Sequence, residues 1–110
     1  MLEGLYRIRY DTPHGEGGGV CIFQQGQMVG GGQVLYIVGT YEVQGNRFTG
    51  ELVGRKHAKV RDLSPVLGLD DFHMRLEGLV TDGYGQLTGT IRERPDIPPL
   101  HGTIMRICAV

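Results

Sequence analysis

The sequence has no tryptophan, one serine, two cysteines and no long apolar run among its 110 residues. A membrane-spanning helix needs about 18 or more apolar residues in succession, so we expect no membrane segment. The net charge is −1, and the lysines and arginines are spread along the chain. Nucleic acid is not an expected partner, because its recognition needs clustered cations to neutralise phosphates. The first residues lack the apolar block of a signal peptide, which favours a cytoplasmic location.

Residues suited to nucleophilic catalysis are scarce. Ser64 is the only serine, and its position before a proline is typical of a helix cap. Cys21 lies among apolar residues and lacks the neighbouring base that would activate a thiol. Asp70 and Asp71 are consecutive, so their side chains point to opposite sides of an extended chain. We therefore predict that the protein is not an enzyme and that Cys21 and Cys108 are reduced.

Metal and phosphate sites also lack their usual sequence patterns. The histidines are His14, His57, His73 and His101. None stands at a spacing typical of metal ligands, although a metal-assisted enzyme built from distant strands stays open as an alternative. The glycine-rich stretches at 15–19 and 30–32 lack the lysine and the following helix of a phosphate-binding loop. We predict no metal and no cofactor.

Glycine is abundant, with 19 residues, and one short unit containing it recurs. Each copy has a turn glycine, a polar residue, and an apolar residue two positions before another glycine. The copies are Gly26-Gln-Met-Val-Gly30, Gly45-Asn-Arg-Phe-Thr-Gly50 and Gly85-Gln-Leu-Thr-Gly89. Each copy predicts the turn of a β-hairpin and the strand that follows it.

The alternating segments predict an all-β fold of about eight antiparallel strands with short sequential connections. Gly50, Gly78 and Gly89 each share a strand face with apolar residues. A glycine on an inward face lets the strand coil sharply, which favours a closed barrel over a flat sandwich. We therefore predict a single domain, residues 1–110, folded as a small up-and-down barrel.

Two segments depart from this pattern. Ser64–Gly68 predicts one helical turn, and apolar residues around it are suited to plugging an end of the barrel: Leu63, Val66, Leu67 and Leu69. Gln33–Val38 lacks polar alternation, so it is either a strand buried on both faces or a segment that crosses the sheet. An exposed apolar segment marks an interface. Together with the turn after it, this segment predicts a partner surface formed by Val34, Tyr36, Ile37, Gln44 and Asn46.

Methionine and phenylalanine supply much of the predicted interior. Flexible methionines suit an adaptable pocket, and they suit an ordinary core equally well. An eight-stranded barrel has an interior that is either filled by side chains or able to hold one small ligand. If a pocket for an apolar ligand exists, we expect it to be lined by Phe23, Met28, Phe48, Met74, Leu76 and Leu87.

Several elements occur in an order that resembles a known family. They are Gly4-Leu-Tyr-Arg-Ile-Arg-Tyr10, Gly15-Glu-Gly17, Gly30-Gly-Gly32, Tyr36-Ile-Val-Gly-Thr-Tyr41, Gly45-Asn-Arg-Phe-Thr-Gly50 and Asp71-Phe72. Together they resemble the GrlR-like family of small bacterial proteins. The resemblance implies a lipocalin-like, eight-stranded barrel with an apolar interior, often dimeric. The tryptophan of the true lipocalin signature is missing.

The family takes its name from a negative regulator of type III secretion genes that binds its activator protein. That regulator presents an acidic run at a hairpin turn, whereas the matching turn here, at 43–46, carries no charge. The resemblance therefore implies a non-catalytic regulatory or protein-interaction barrel, which we expect to be a homodimer. The alternative is a carrier of a small apolar ligand.

Overall fold

Eight β-strands pair in sequence order in a computed structural model that describes residues 2–13, 15–59 and 69–110. The strands are β1 (Gly4–Thr12), β2 (Gly15–Gln24), β3 (Gln27–Gly31), β4 (Leu35–Gln44), β5 (Arg47–Lys56), β6 (Asp71–Thr81), β7 (Tyr84–Ile91) and β8 (Leu100–Cys108). Every pairing is antiparallel, and β8 pairs with β1 to close the sheet. The predicted eight-stranded, all-β up-and-down barrel is confirmed.

The two-residue period of the strands decides which side chains form the core. In β1, Tyr6 is fully buried, and Arg7 and Arg9 on the opposite face are exposed. The tight turn between β2 and β3 has φ angles of 53° at Gln25 and 77° at Gly26. Two successive positive φ angles define a type I′ turn, whose twist matches that of paired strands.

The recurring glycine unit places an apolar residue and a glycine on the inner face at the start of a strand. In β5 these are Phe48 and Gly50; a Cβ added to Gly50 would lie 3.0 Å from the Cε atom of Met28. In β7 they are Leu87 and Gly89, where the neighbour is the Met74 side chain. The inward glycines therefore leave room for methionine side chains of nearby strands.

The segment Gln33–Val38 differs from both predicted arrangements. Its last four residues begin β4, in which half-buried and exposed residues alternate. Leu35 and Ile37 pack against the core, whereas Tyr36 and Val38 face outward. The prediction of a strand buried on both faces is wrong, and so is that of a segment crossing the sheet. The alternation could not be read from the sequence, because the outward-facing residues Tyr36 and Val38 are apolar like the inward-facing ones.

The predicted helical turn Ser64–Gly68 lies outside the described residues, as do three residues of the predicted plug, Leu63, Val66 and Leu67. The fourth, Leu69, packs against the core. In the described parts of the chain, no helix is long and apolar enough to cross a membrane.

Candidate functional site

The two ends of the barrel differ in how their interiors are filled. We call the end with the turns Gln25–Gly26, Gly45–Asn46 and Asp82–Gly83 the closed end. The opposite end, which carries the β3–β4 turn at Gln33–Val34, is the cavity end. There the backbone N–H of Gly32 donates to the carbonyl of Leu35 over 2.9 Å.

Aromatic rings fill the closed end. The Phe23 ring makes edge-to-face contacts with Tyr6 at 5.2 Å, with Tyr41 at 5.3 Å and with Phe48 at 6.0 Å between centroids. Tyr41 and Phe48 stack with an interplanar angle of 10° and centroids 5.7 Å apart. Such pairs add about 0.5–1.5 kcal/mol each beyond the area that they bury. This end is therefore a packed aromatic core.

A cation covers the aromatic cluster at the closed end. The guanidinium of Arg106 lies over the Tyr6 ring, 5.6 Å from its centroid, and donates to the Asp82 carboxylate over 3.1 Å. Burial is the main cause that raises the pKa of the Tyr6 hydroxyl. The phenol is therefore neutral at physiological pH, and the cation lies over an uncharged ring.

The interior toward the cavity end contains an apolar cavity of about 400 Å³. Its wall is contributed by β1 to β8 and by the β3–β4 turn. The apolar side chains that line it are Ile8, Phe23, Met28, Val34, Leu35, Ile37, Leu52, Phe72, Met74, Leu76, Leu87, Leu100 and Ile104. Several glycines also line the cavity, and because they have no side chain the wall is recessed at their positions.

Five of the six residues predicted for an apolar pocket line this cavity: Phe23, Met28, Met74, Leu76 and Leu87. The structure places the sixth, Phe48, in the aromatic cluster of the closed end. Sequence reasoning missed Ile8, Ile37, Leu52 and Ile104, which lie on inner faces. For Ile8, the alternation with Arg7 and Arg9 was the signal that could have found it, whereas Ile37 lies between two apolar residues and gave no such signal.

Polar groups on the cavity wall are few. Cys21 is completely buried, and burial raises the pKa of its thiol to about 12, so the thiol is protonated at neutral pH. Tyr10, toward the end of β1, has a pKa raised by burial. Glu16 stands on the rim, where its carboxylate accepts hydrogen bonds from the Arg9 guanidinium, one of them over 3.2 Å. Chemically, the site is an apolar container with a polar rim.

Two aromatic side chains cover glycines of neighbouring strands near the cavity end. Tyr10 pairs with Gly17, and a Cβ added to this glycine would lie 2.4 Å from the tyrosine ring. Phe72 pairs with Gly54 in the same way, with a corresponding distance of 2.3 Å. Each ring fills the space that a second side chain would need. Glycine is therefore required at both positions for the wall to keep its shape.

The described histidines lie apart and have separate partners. His57 Nε2 lies 2.9 Å from the Gly32 carbonyl oxygen. The imidazole of His73 contacts the Glu93 carboxylate, which also accepts the His73 backbone N–H over 2.7 Å. His101 is exposed on β8, and His14 is outside the described residues. Within the described ranges, no three His, Cys, Asp or Glu side chains are grouped to hold a metal.

The residues of the predicted partner surface separate in the structure. Ile37 and Val34 line the cavity, whereas Tyr36 is on the outer face. Gln44 and Asn46 are exposed at the closed end. The five residues were predicted to form one surface. In the barrel they are divided among the interior, the outer wall and the closed end.

An apolar strip does cover part of the outer wall. Strand register aligns Ile22 with Val29 and Val29 with Val38. Val20 and Tyr36 adjoin this row, and the five side chains are between 38% and 51% exposed. We call these five residues the outer strip. Sequence reasoning named only Tyr36 among them, because the strip is created by register between three strands.

The class of protein that the structure defines is a closed, eight-stranded antiparallel barrel with an apolar cavity. The chain matches no protein-family model, and a search of curated proteins found no match. The resemblance to the GrlR-like family therefore stays a prediction.

Proposed function

We propose that the barrel binds one small apolar molecule in its cavity. The observation that carries this proposal is the apolar space of about 400 Å³ lined by the described strands and the β3–β4 turn. Ligand pockets typically occupy about 300–1,000 Å³, whereas ordinary cores leave few voids larger than a water molecule. Met28 and Met74 give the wall two flexible side chains that can adjust to the occupant.

The volume limits the size of the occupant. At about 30 Å³ for each non-hydrogen atom, the share of a water molecule in liquid, the cavity holds roughly a dozen such atoms. Burial stabilises each methylene by about 0.8 kcal/mol, and association opposes this gain by at least 4 kcal/mol. The ten carbons of 1-decanol gain about 8 kcal/mol, of which at most about 4 kcal/mol remains, so we expect a dissociation constant of about 1 mM or weaker.

The protein's own methionines allow a direct test. Met28 and Met74 line the cavity, whereas Met105 is exposed on the outer face of β8. With 13C-labelled methionine methyl groups, titration with 1-decanol should shift the NMR signals of Met28 and Met74 and leave that of Met105 in place. Native mass spectrometry should show one added molecule. If all three signals stay fixed, or if only Met105 responds, cavity binding is ruled out.

A pair of substitutions on β6 separates cavity filling from general perturbation. Leu76 lines the cavity, and Leu79 on the opposite face is 60% exposed. Leu76→Phe should occupy part of the cavity and weaken 1-decanol binding at least tenfold. Leu79→Phe adds the same side chain outside and should leave binding unchanged. Equal affinities in the two variants would contradict the proposed site.

A second candidate function, protein binding, has support in the outer strip. Its five side chains are apolar and carry no charge, so they fit a partner surface of the same character. The barrel itself supplies such a surface, and we therefore favour a second copy of the chain as the partner. Burying two small strips corresponds to the low end of specific interfaces, and we expect a weak homodimer.

Light scattering at increasing protein concentration tests the homodimer. Val38→Lys places a charge in the strip and should leave the protein monomeric, whereas Thr40→Lys, on the outer face of the same strand, should not. A monomer at all concentrations would exclude the homodimer. A dimer that Val38→Lys does not weaken would place the interface elsewhere. A regulatory role, a cytoplasmic location and the lack of catalysis stay predictions.

A further inference from the structure

The cavity is suited to a particular charge state of its occupant. Its deep wall consists of aliphatic, aromatic and thioether side chains together with glycines. The titratable groups along the described wall are Tyr10, Glu16 and Cys21. Glu16 is the carboxylic acid among them, and it pairs with Arg9.

We infer that the barrel selects neutral amphiphiles, such as medium-chain alcohols, amides or esters, over ionised fatty acids of the same length. This inference rests on the proposed function, since it specifies the ligand class of the same cavity. The tail occupies the apolar wall, and the uncharged polar group lies at the rim beside Tyr10 and Gln33, both of which offer hydrogen-bonding atoms.

The rim explains why an anion is disfavoured. Glu16 is the acidic residue that borders the cavity, and no lysine, arginine or histidine lines the described wall to pair with a carboxylate. Arg9 lies on the outer face of β1 and already pairs with Glu16 through both Nε and one terminal nitrogen, so its charge is engaged outside the cavity. An anionic ligand would have to compete with Glu16 for that guanidinium. An alcohol or amide needs no counter-ion and loses nothing from this arrangement.

The deep wall disfavours an anion for a separate reason. Removing an ionised group from water into apolar surroundings is very costly unless a partner charge accompanies it. Cys21 reports this property from within the cavity, because burial raises the pKa of its thiol from 9.0 to about 12. The wall therefore favours the protonated form of Cys21 over its anion more strongly than water does. The same surroundings act on a carboxyl group that enters with a ligand.

The test compares 1-decanol with decanoate, whose tails are matched, by the methionine-methyl titration at about pH 7.5 and about pH 5.5. We expect 1-decanol to bind at least tenfold more tightly than decanoate at the higher pH. The apparent affinity for decanoate should rise as the pH falls, because the protonated acid is the form that the cavity accepts. The affinity for 1-decanol should not depend on pH in this range.

A charge-matched pair of variants examines the rim. Glu16→Gln removes the rim carboxylate and releases Arg9, so the preference for 1-decanol over decanoate should fall severalfold. Glu51→Gln, on the exposed outer face of β5, makes the same change in net charge and should leave the preference unaltered. An equal loss of preference in the two variants would show a long-range effect of net charge and would overturn the role of the rim.

The outcomes separate the two levels of the proposal. If decanoate binds as tightly as 1-decanol at about pH 7.5, the charge selection is wrong and cavity binding stands. If neither molecule shifts the Met28 and Met74 signals, the proposed function fails and the selection fails with it. A tenfold preference for 1-decanol that diminishes at lower pH supports both.

Discussion

The two ends of this barrel are built from the same alternating strands, but one end has a filled interior and the other has an unfilled one. At the closed end, Tyr6, Phe23, Tyr41 and Phe48 fill the space with interlocking rings. Toward the cavity end, the inward positions carry aliphatic side chains and glycines, and about 400 Å³ stays unfilled. The difference teaches that the two-residue period determines which face is inside, whereas side-chain volume determines whether that inside is a core or a container.

The largest expected contrast comes from truncating one side chain at each end. Phe48→Ala removes a completely buried ring and should lower the free energy of unfolding by about 3–5 kcal/mol. Leu76→Ala enlarges a space that already exists, so its cost should be about 1–2 kcal/mol. Urea unfolding measures both. Equal costs would mean that the cavity end is packed as tightly as the closed end.

Two glycines on β6 and β7 sharpen the same contrast. A Cβ at Gly78, near the closed end, would lie 2.1 Å from the backbone oxygen of Gln86, and backbone cannot easily move. A Cβ at Gly89 would meet the sulfur of Met74 at 2.7 Å, and this flexible tip can turn into the cavity. Gly78→Ala should cost about 1–3 kcal/mol and Gly89→Ala less than about 1 kcal/mol. The reverse order in thermal unfolding would contradict this account.

Thiol reactivity should report whether the cavity is occupied. In a Cys108→Ser variant, the thiol that reacts with iodoacetamide is Cys21, and its rate should keep rising with pH because its pKa is about 12. Saturating 1-decanol should slow the reaction severalfold. Cys108 in a Cys21→Ser variant is exposed and serves as the control, since its rate should not respond to the alcohol. If saturating 1-decanol leaves the reaction rate of Cys21 unchanged, the alcohol does not bind beside this thiol.

The smallest expected effect concerns an exposed ion pair at the cavity end. The backbone N–H and the imidazole of His73 lower the pKa of Glu93 from 4.5 to about 2. A carboxyl whose folded pKa is depressed adds stability above its unfolded pKa, and that stability is lost as the pH falls from about 4.5 to about 2. The stability advantage of the wild type over Glu93→Gln should therefore shrink across that range. Glu77→Gln, near the closed end, is the control.

Much of the fold could be predicted because period and turn chemistry are local. The alternation of Met74, Leu76 and Val80 with Arg75 and Glu77 is enough to define the two faces of β6. The inward position of Gly50 and Gly89 then indicates closure. The sequence could not show that Phe48 joins the aromatic cluster and that Leu87, in the same register row, lines the cavity, because this division depends on distances across the barrel.

The cavity and the outer strip escaped prediction for the same reason. Ile22, Val29 and Val38 are far apart in sequence and become one row through the pairing of β2, β3 and β4. The unfilled volume likewise depends on distances across the barrel, which no single strand contains. The segment Gln33–Val38 was misinterpreted because apolar residues occupy both its inner and outer positions.

The pairing of β1 with β8 has a consequence for the order of folding. Tyr6 pairs with Arg106, about 100 positions further along the chain, whereas every other pairing joins strands that are consecutive. Each hairpin can form as its residues leave the ribosome. The seam between β1 and β8 forms only at the entropic cost of closing the longest loop in the protein. Because Leu100 and Ile104 are part of the cavity wall, the container is complete only once this seam has formed. Until β8 is in place, there is a sheet with an apolar face and no interior for a ligand to enter.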